Sequence, residues 1–557
     1  MWKRYRTLRA ISAAVAGGTL ISMAPATALG EPASTGLSRF YGQQITWAPC
    51  DVPAPPGVPI DFWKQQWAGM DCGTVLVPMN YRDPGGRALE ILVTRVKAKD
   101  PAKRQGSLVV NPGGPGVSGV FFPKMLAGRS AAAESFDIIG FNPRGTRFSK
   151  DELHCAVSDQ EPTRPTRPTD AQLAVIVEEA RQREEGCRQA GGELRQHIST
   201  ANTARDMDLV RAAMGERKIN YLGLSYGTYL GAVYGSLFPG KLNRSVLDSS
   251  MHPDWSYYEA ARTQGIAIRQ SVDAWTAWVA QRHGTYQLGT TAQEVRAAVE
   301  KLREQLERTP VPWVGGPPDI THVDGDLLDS IVGNEAPNRP RWDVLARLVI
   351  QFQHALTSGA LTQDTANAMK ILMSDNAPRT ENGVFDAVIC ERDWPADLNE
   401  YLRQMRTFRE QYPFGEGAMS AAPTACTFRS FTPPERPVNL RRSGYPTGLV
   451  VQAEFDPATK YEGGRAMARK LRNHLITVLD DGSHGLYARN DCVTRQIDDY
   501  LIHGTLPPKT STCAGAPRPD VPADGQQTGA STTGGSLAEQ LKSLAKRYPG
   551  PLGSQTA

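Results

Sequence analysis

Six short apolar runs in this chain do not alternate with polar residues, and that alone narrows the folds open to it. "GSLVVNPGGPG", "SFDIIGFNPRG", "INYLGLS" and "RSVLD" each end in glycine, proline, asparagine, aspartate or serine. "GLVVQAEFD" and "HLITVLDDGSHG" repeat the form far downstream. Helical patterns lie between several of them, notably "TARDMDLVRAAMG" and "YGTYLGAVYGSLF". Runs without alternation are strands buried on both faces, and helices between them imply parallel crossovers. The expected fold class is α/β, a mostly parallel sheet with helices on both faces. Ahead of it, "TVLVPMNY" and "LEILVTRVKA" read as two strands joined by the turn "RDPGGR".

From about His252 to Arg436 the pattern changes to long charged helices such as "AQEVRAAVEKLREQLER", with aromatic-rich segments and no clear strand series. A sheet domain made of residues 47–251 and 437–514 is therefore expected to be split by a largely helical insertion at 252–436. Residues 515–557 form a low-complexity tail, "GAPRPDVPADGQQTGASTTGG" and onward, whose composition predicts disorder. Within it "SLAEQLKSLAKRY" can form a terminal helix. No internal repeat of solenoid period is present.

The first 30 residues carry Lys3, Arg4, Arg6 and Arg9, then a short apolar segment, then Ala26-Thr27-Ala28, the layout of a secretory leader. The apolar segment is shorter than the roughly 20 residues a membrane span needs. Residues 31–46 follow as an N-terminal segment, a candidate pro-region. A formal charge of +4 on 557 residues, with no basic stripe interleaved with aromatics, gives no case for nucleic acid. Export gives the eight cysteines meaning, since an even number in an oxidising compartment suggests disulfides. Local proximity pairs Cys50 with Cys72, Cys155 with Cys187, Cys390 with Cys426 and Cys492 with Cys513. No CxxC occurs, so neither a metal site nor a cofactor is expected.

In "INYLGLSYGTYLGAVYGSLFP" a strand pattern meets a helix pattern at Gly223-Leu224-Ser225-Tyr226-Gly227. A turn that tight leaves room only for glycines beside the serine, and it lifts the hydroxyl clear of the backbone. A serine hydroxyl needs a histidine to take its proton and a carboxylate to orient that histidine. Of nine histidines, only His484 lies in a glycine-bearing loop directly after a late strand. Asp456 closes the preceding strand and is the expected acid; Asp248, Asp480 and Asp481 are its rivals. "NPGGPG", Asn111 to Gly116, follows an early strand, and backbone N–H groups of Gly114 or Gly113, with that of Tyr226, are candidates to stabilise an oxyanion.

These stretches, together with "FNPRGTRFS", "EFDPAT" and "DGSHG", closely resemble the secreted tripeptidyl aminopeptidases of actinomycetes, from about Trp47 to Cys513 and including the cysteine positions. That family belongs to the α/β-hydrolase group that includes prolyl aminopeptidases. The resemblance implies the α/β-hydrolase fold with a helical cap. It implies Ser225 as nucleophile, Asp456 as acid and His484 as base, and release of tripeptides from peptides with a free N-terminus. One departure is Lys460 in "DPATKYEGG", where the family usually has a threonine-proline pair or a close variant after the aspartate.

Counting three residues requires a group that holds the substrate ammonium about 10 Å from Ser225, given the reach of an extended chain. Glu391 and Asp393, beside Cys390, are candidates for that anchor. The expected protein is a secreted monomer acting on peptides, with no membrane association after leader removal. A carboxylesterase on the same scaffold is the alternative. A catalytically silent binding protein would require a missing member of the Ser, Asp, His set, and none is missing.

Overall fold

Side chains in the apolar runs alternate between two buried layers, one on each face of a single sheet. In chain order its strands are β1 (Ala48–Pro49), β2 (Asp71–Pro78), β3 (Ala88–Val96), β4 (Ser107–Asn111), β5 (Asp137–Phe141), β6 (Ile219–Leu224) and β7 (Leu242–Asp248). A two-residue hairpin, β8 (Val311–Pro312) with β9 (His322–Val323), lies apart from it. The sheet resumes with β10 (Leu449–Ala453), β11 (His474–Leu479) and β12 (Thr510–Ala514). The computed structural model describes residues 36–55, 57–155, 165–317, 320–375, 383–526 and 535–548. The leader read at 1–30 lies outside them.

Strand order is β1-β2-β3-β5-β4-β6-β7-β10-β11-β12. Pairing is antiparallel as far as β3 with β5 and parallel from β5 onward. The mostly parallel α/β sheet expected from the runs is therefore the fold observed. Val109, Tyr221, Leu247 and Val450 face a core shared with helices Thr200–Ala213, Tyr226–Leu237 and Tyr461–Leu471. Their neighbours Leu108, Val110, Leu222, Val246 and Val451 face Phe122, Leu126, Val493 and Ile497 on the other side. Burial on both faces is why the apolar residues in the middle of these strands run on without alternation.

Between β7 and β10 the chain forms a helical insertion with a core of its own around Trp275 and Trp342. Helix Ala292–Arg308 shows why its charged sequence still folds: Val295, Val299, Leu302 and Leu306 make one apolar stripe, and all four are buried. Thr291 and Glu294 close its N-terminus as a capping box.

The disorder expected from residue 515 does not hold for the described part of the tail. The Arg518 guanidinium stacks on Trp342 and pairs with Asp480, and the Val521 carbonyl accepts from Arg282. Helix Leu537–Arg547 buries Leu537 and Leu541 in the core of the insertion. Asp364 receives the N–H groups of Leu537 and Ala538 at 2.7 and 3.2 Å, capping that helix from 173 and 174 residues away. Composition does not show this docking because the leucines of this helix, Leu537, Leu541 and Leu544, acquire a partner only after the insertion has folded.

Four disulfides join Cys50 to Cys72, Cys155 to Cys187, Cys390 to Cys426 and Cys492 to Cys513. Their sequence separations of 22, 32, 36 and 21 residues place each crosslink within a local unit. Loops of that length stabilise by on the order of 3–4 kcal/mol each, through the unfolded chain in the entropic account.

Candidate active site

Ser225 is the one-residue junction between β6 and helix Tyr226–Leu237, with φ 57° and ψ −126°. A Cβ on Gly223 would stand 2.2 Å from the Gly227 carbonyl oxygen, and one on Gly227 would stand 2.7 Å from that of Asn111. The flanking glycines are thus required by backbone crossing at two separate places. The Ser225 N–H donates to the Asp248 carbonyl at 3.0 Å, which ties the turn to the end of β7.

Asp456 and His484 follow β10 and β11, so both loops open at the same C-terminal edge of the parallel sheet as Ser225. Crevices for ligands form at that edge in open α/β sheets. The Asp456 carboxylate is fully buried and lies 3.1 and 3.0 Å from His484 Nδ1, while the imidazole side chain stays a quarter exposed. Asp456 also accepts from the N–H groups of Ala458 and Thr459 at 2.9 and 3.0 Å and from the Thr459 hydroxyl at 2.9 Å. Gln452 Nε2 adds a longer contact of 3.3 Å. These donors fix the plane of the carboxylate. An acceptor at Nδ1 puts the imidazole proton there and leaves Nε2 to act as a base.

The three rival carboxylates have other partners. Asp248 is buried and directs Oδ2 to the N–H groups of Leu486 and Tyr487, at 2.9 and 2.8 Å, in the loop that carries His484. Burial pushes its pKa up, against the pull of those two donors. Asp480 pairs with Arg339 and Arg518. Asp481 accepts the Ser483 and Ala516 N–H groups at 2.6 and 3.0 Å. Thr459 escaped the sequence reading, although a threonine three residues after an aspartate is a recognisable side-chain turn signal.

Between the two candidate glycines the geometry separates roles. The Gly113 N–H donates to Asn111 Oδ1 at 3.0 Å and is already engaged. Gly113 instead allows close approach: its φ is +99°, and a Cβ there would lie 2.6 Å from the Leu224 carbonyl and 2.9 Å from Ser225 Cβ. Tyr226 opens its helix, where N–H groups lack intrahelical acceptors. Gly113→Ala is expected to lower kcat by about a hundredfold, because the added methyl displaces the backbone on which the donors ride. Steady-state kinetics on a chromogenic amide checks this.

Glu391 and Asp393 part company. Glu391 accepts the Thr200 N–H and hydroxyl at 2.8 and 2.7 Å, and Thr200 Oγ1 is 3.0 Å from the Tyr226 hydroxyl. The carboxylate therefore caps helix Thr200–Ala213 and reaches, through one threonine, the residue next to Ser225. Desolvation raises its pKa against the two Thr200 donors. It borders a small cleft with Tyr229 and Glu435. Asp393 is exposed.

Residues 412–513 match the family described as TAP-like protein, in the α/β-hydrolase group. The tripeptidyl aminopeptidase of Streptomyces lividans is 35% identical over 81% of this chain and 85% of its own. The serine protease Hip1 of Mycobacterium tuberculosis is 28% identical over 85% of this chain and 91% of its own. The carboxylesterase B of the same species is 29% identical over 92% and 99%. Taken with the elbow, the strand-end loops and the sheet order, this similarity shows that the chain belongs to the tripeptidyl aminopeptidase family of α/β-hydrolase serine peptidases.

Proposed function

We propose that this protein is a secreted serine exopeptidase that releases tripeptides from peptides with a free amino terminus. The observation that carries the reading is the buried Asp456 carboxylate on His484 Nδ1 at the strand edge where Ser225 also stands. In the forward step His484 Nε2 takes the Ser225 proton while Oγ attacks the scissile carbonyl. The tetrahedral oxyanion is met by the N–H groups of Gly114 and Tyr226. Collapse breaks the C–N bond, His484 returns the proton to the departing amine, and water attacks the Ser225 ester by the same route.

Glu391 is the proposed anchor for the substrate ammonium. Each of its oxygens accepts one Thr200 donor and retains capacity for another. Exposed Asp393 would act at longer range, screened by solvent. Four disulfides support an extracellular site of action. Among the described residues no helix is long and apolar enough to cross a membrane.

The similarity to a carboxylesterase along nearly the whole chain favours a second reading, ester hydrolysis at the same serine. Mass analysis of the products from an unblocked peptide and from its N-acetylated form separates the two. Intact tripeptides from the free peptide alone are expected. Equal cleavage of both peptides, or turnover of simple esters only, would overturn the exopeptidase assignment.

A further inference from the structure

Asp248 is a carboxylate taken fully out of water beside a site that already has its acid in Asp456, and burying a second charge there is costly unless it is fully hydrogen-bonded. Its contacts account for the burial. The Asp248 carbonyl accepts the Ser225 N–H at 3.0 Å, and its Oδ2 accepts the N–H groups of Leu486 and Tyr487. The Ser249 hydroxyl donates to Asp248 Oδ1 at 3.3 Å and accepts the Gly485 N–H at 2.8 Å. Two adjacent residues at the end of β7 thus take all three N–H groups that follow His484. From within the loop, Arg489 Nη1 donates to the carbonyls of His484 and Gly485 at 3.1 and 3.0 Å. Amides and carbonyls of one four-residue stretch, His484 to Tyr487, are thus both engaged, and that stretch carries the imidazole.

We propose that Asp248, with Ser249 and Arg489, is a positioning residue that holds the His484 loop in register with the Ser225 turn. It acts through the backbone and touches neither substrate nor the reacting atoms. It links the two because the same residue bonds the nucleophile's N–H through its main chain and the base's loop through its side chain. The position explains the residue type. A short carboxylate suits a strand end where one oxygen takes two successive amides and the other takes a hydroxyl. The proposal rests on the reading of Ser225 and His484 as nucleophile and base.

The test uses the full-length protein with Asp248→Asn, Asp248→Ala and Ser249→Ala. Each is measured for kcat and KM on a tripeptide anilide, for the rate at which a fluorophosphonate labels Ser225, and for its denaturation midpoint. Asp248→Asn keeps one side-chain acceptor and is expected to lose about tenfold in kcat. Asp248→Ala is expected to lose about a hundredfold, the scale of a small misplacement of a catalytic group. In both, KM stays within about twofold and labelling slows in parallel with kcat, since both need the base in place. If the folded fraction of every variant labels and turns over at the parent rate, so that lost activity only tracks lost folded protein, the proposal is overturned. Should Asp248→Ala not fold, Asp248→Asn and Ser249→Ala decide by the same criterion. A Ser225→Ala protein that turns over within tenfold of the parent rate would instead defeat the underlying reading, whatever the Asp248 variants do.

Discussion

Ser225→Ala is expected to lower kcat by about 10⁴- to 10⁶-fold, with the fold and the disulfides intact. The substitution removes the attacking oxygen and leaves the Gly114 and Tyr226 amides, so a small residual rate by direct water attack survives. Alanine carries a Cβ like serine, so the left-handed φ of 57° is no harder to hold than before and stability should be unchanged. His484→Ala should fall by a similar factor, and the double variant should be hardly worse than either single one, because nucleophile and base act as a unit. Single-turnover kinetics with an activated ester and an anilide measures all three. A Ser225→Ala protein within tenfold of the parent rate would show that hydrolysis occurs elsewhere.

The largest stability effect is expected at Arg144→Met. Arg144 follows β5 in "NPRG", and both it and Asp206 are wholly buried. Its Nε and Nη2 donate to Asp206 at 2.8 and 2.6 Å. Nη1 donates to the carbonyls of Met79 and His197 at 2.8 and 3.1 Å, and Nη2 also reaches that of Pro78 at 3.2 Å. Every guanidinium N–H is used, and the Tyr81 hydroxyl adds a further donor to Asp206 at 2.8 Å. Removing the cation strands a carboxylate out of water, which costs about 3–5 kcal/mol. Urea denaturation with the disulfides oxidised should show that loss as a lower midpoint at similar slope. Arg144→Met combined with Asp206→Asn should recover part of it, since the unpaired charge rather than the lost attraction is the main penalty. An unchanged midpoint in the single variant would mean that water or another cation reaches Asp206.

Much of the scaffold was readable from residue order because its signals are short-range. Leu108 to Val110, Tyr221 to Leu224 and Leu449 to Val451 lie in strands buried on two faces, and a short apolar run without alternation states that directly. Gly223 records a crossing within five residues, where a Cβ would meet the Gly227 carbonyl. The cysteine pairs join near neighbours along the chain. Helix Ala292–Arg308 announces its buried stripe by spacing alone.

Residue order left four carboxylates competing for one imidazole, two glycines for one donor role and two acids for one ammonium. Those choices depend on which groups other parts of the chain bring alongside. Asp456 meets His484 because β10 and β11 pair in register and open at one edge, whereas Asp248 is turned onto the amides of Leu486 and Tyr487, 238 and 239 residues away. Gly113 is engaged by Asn111, Glu391 by Thr200, and the tail helix by Asp364. Local periodicity and steric demand are written in neighbouring residues; the partner of a buried polar group is set by which distant donors share its enclosure, and only folding assembles that enclosure.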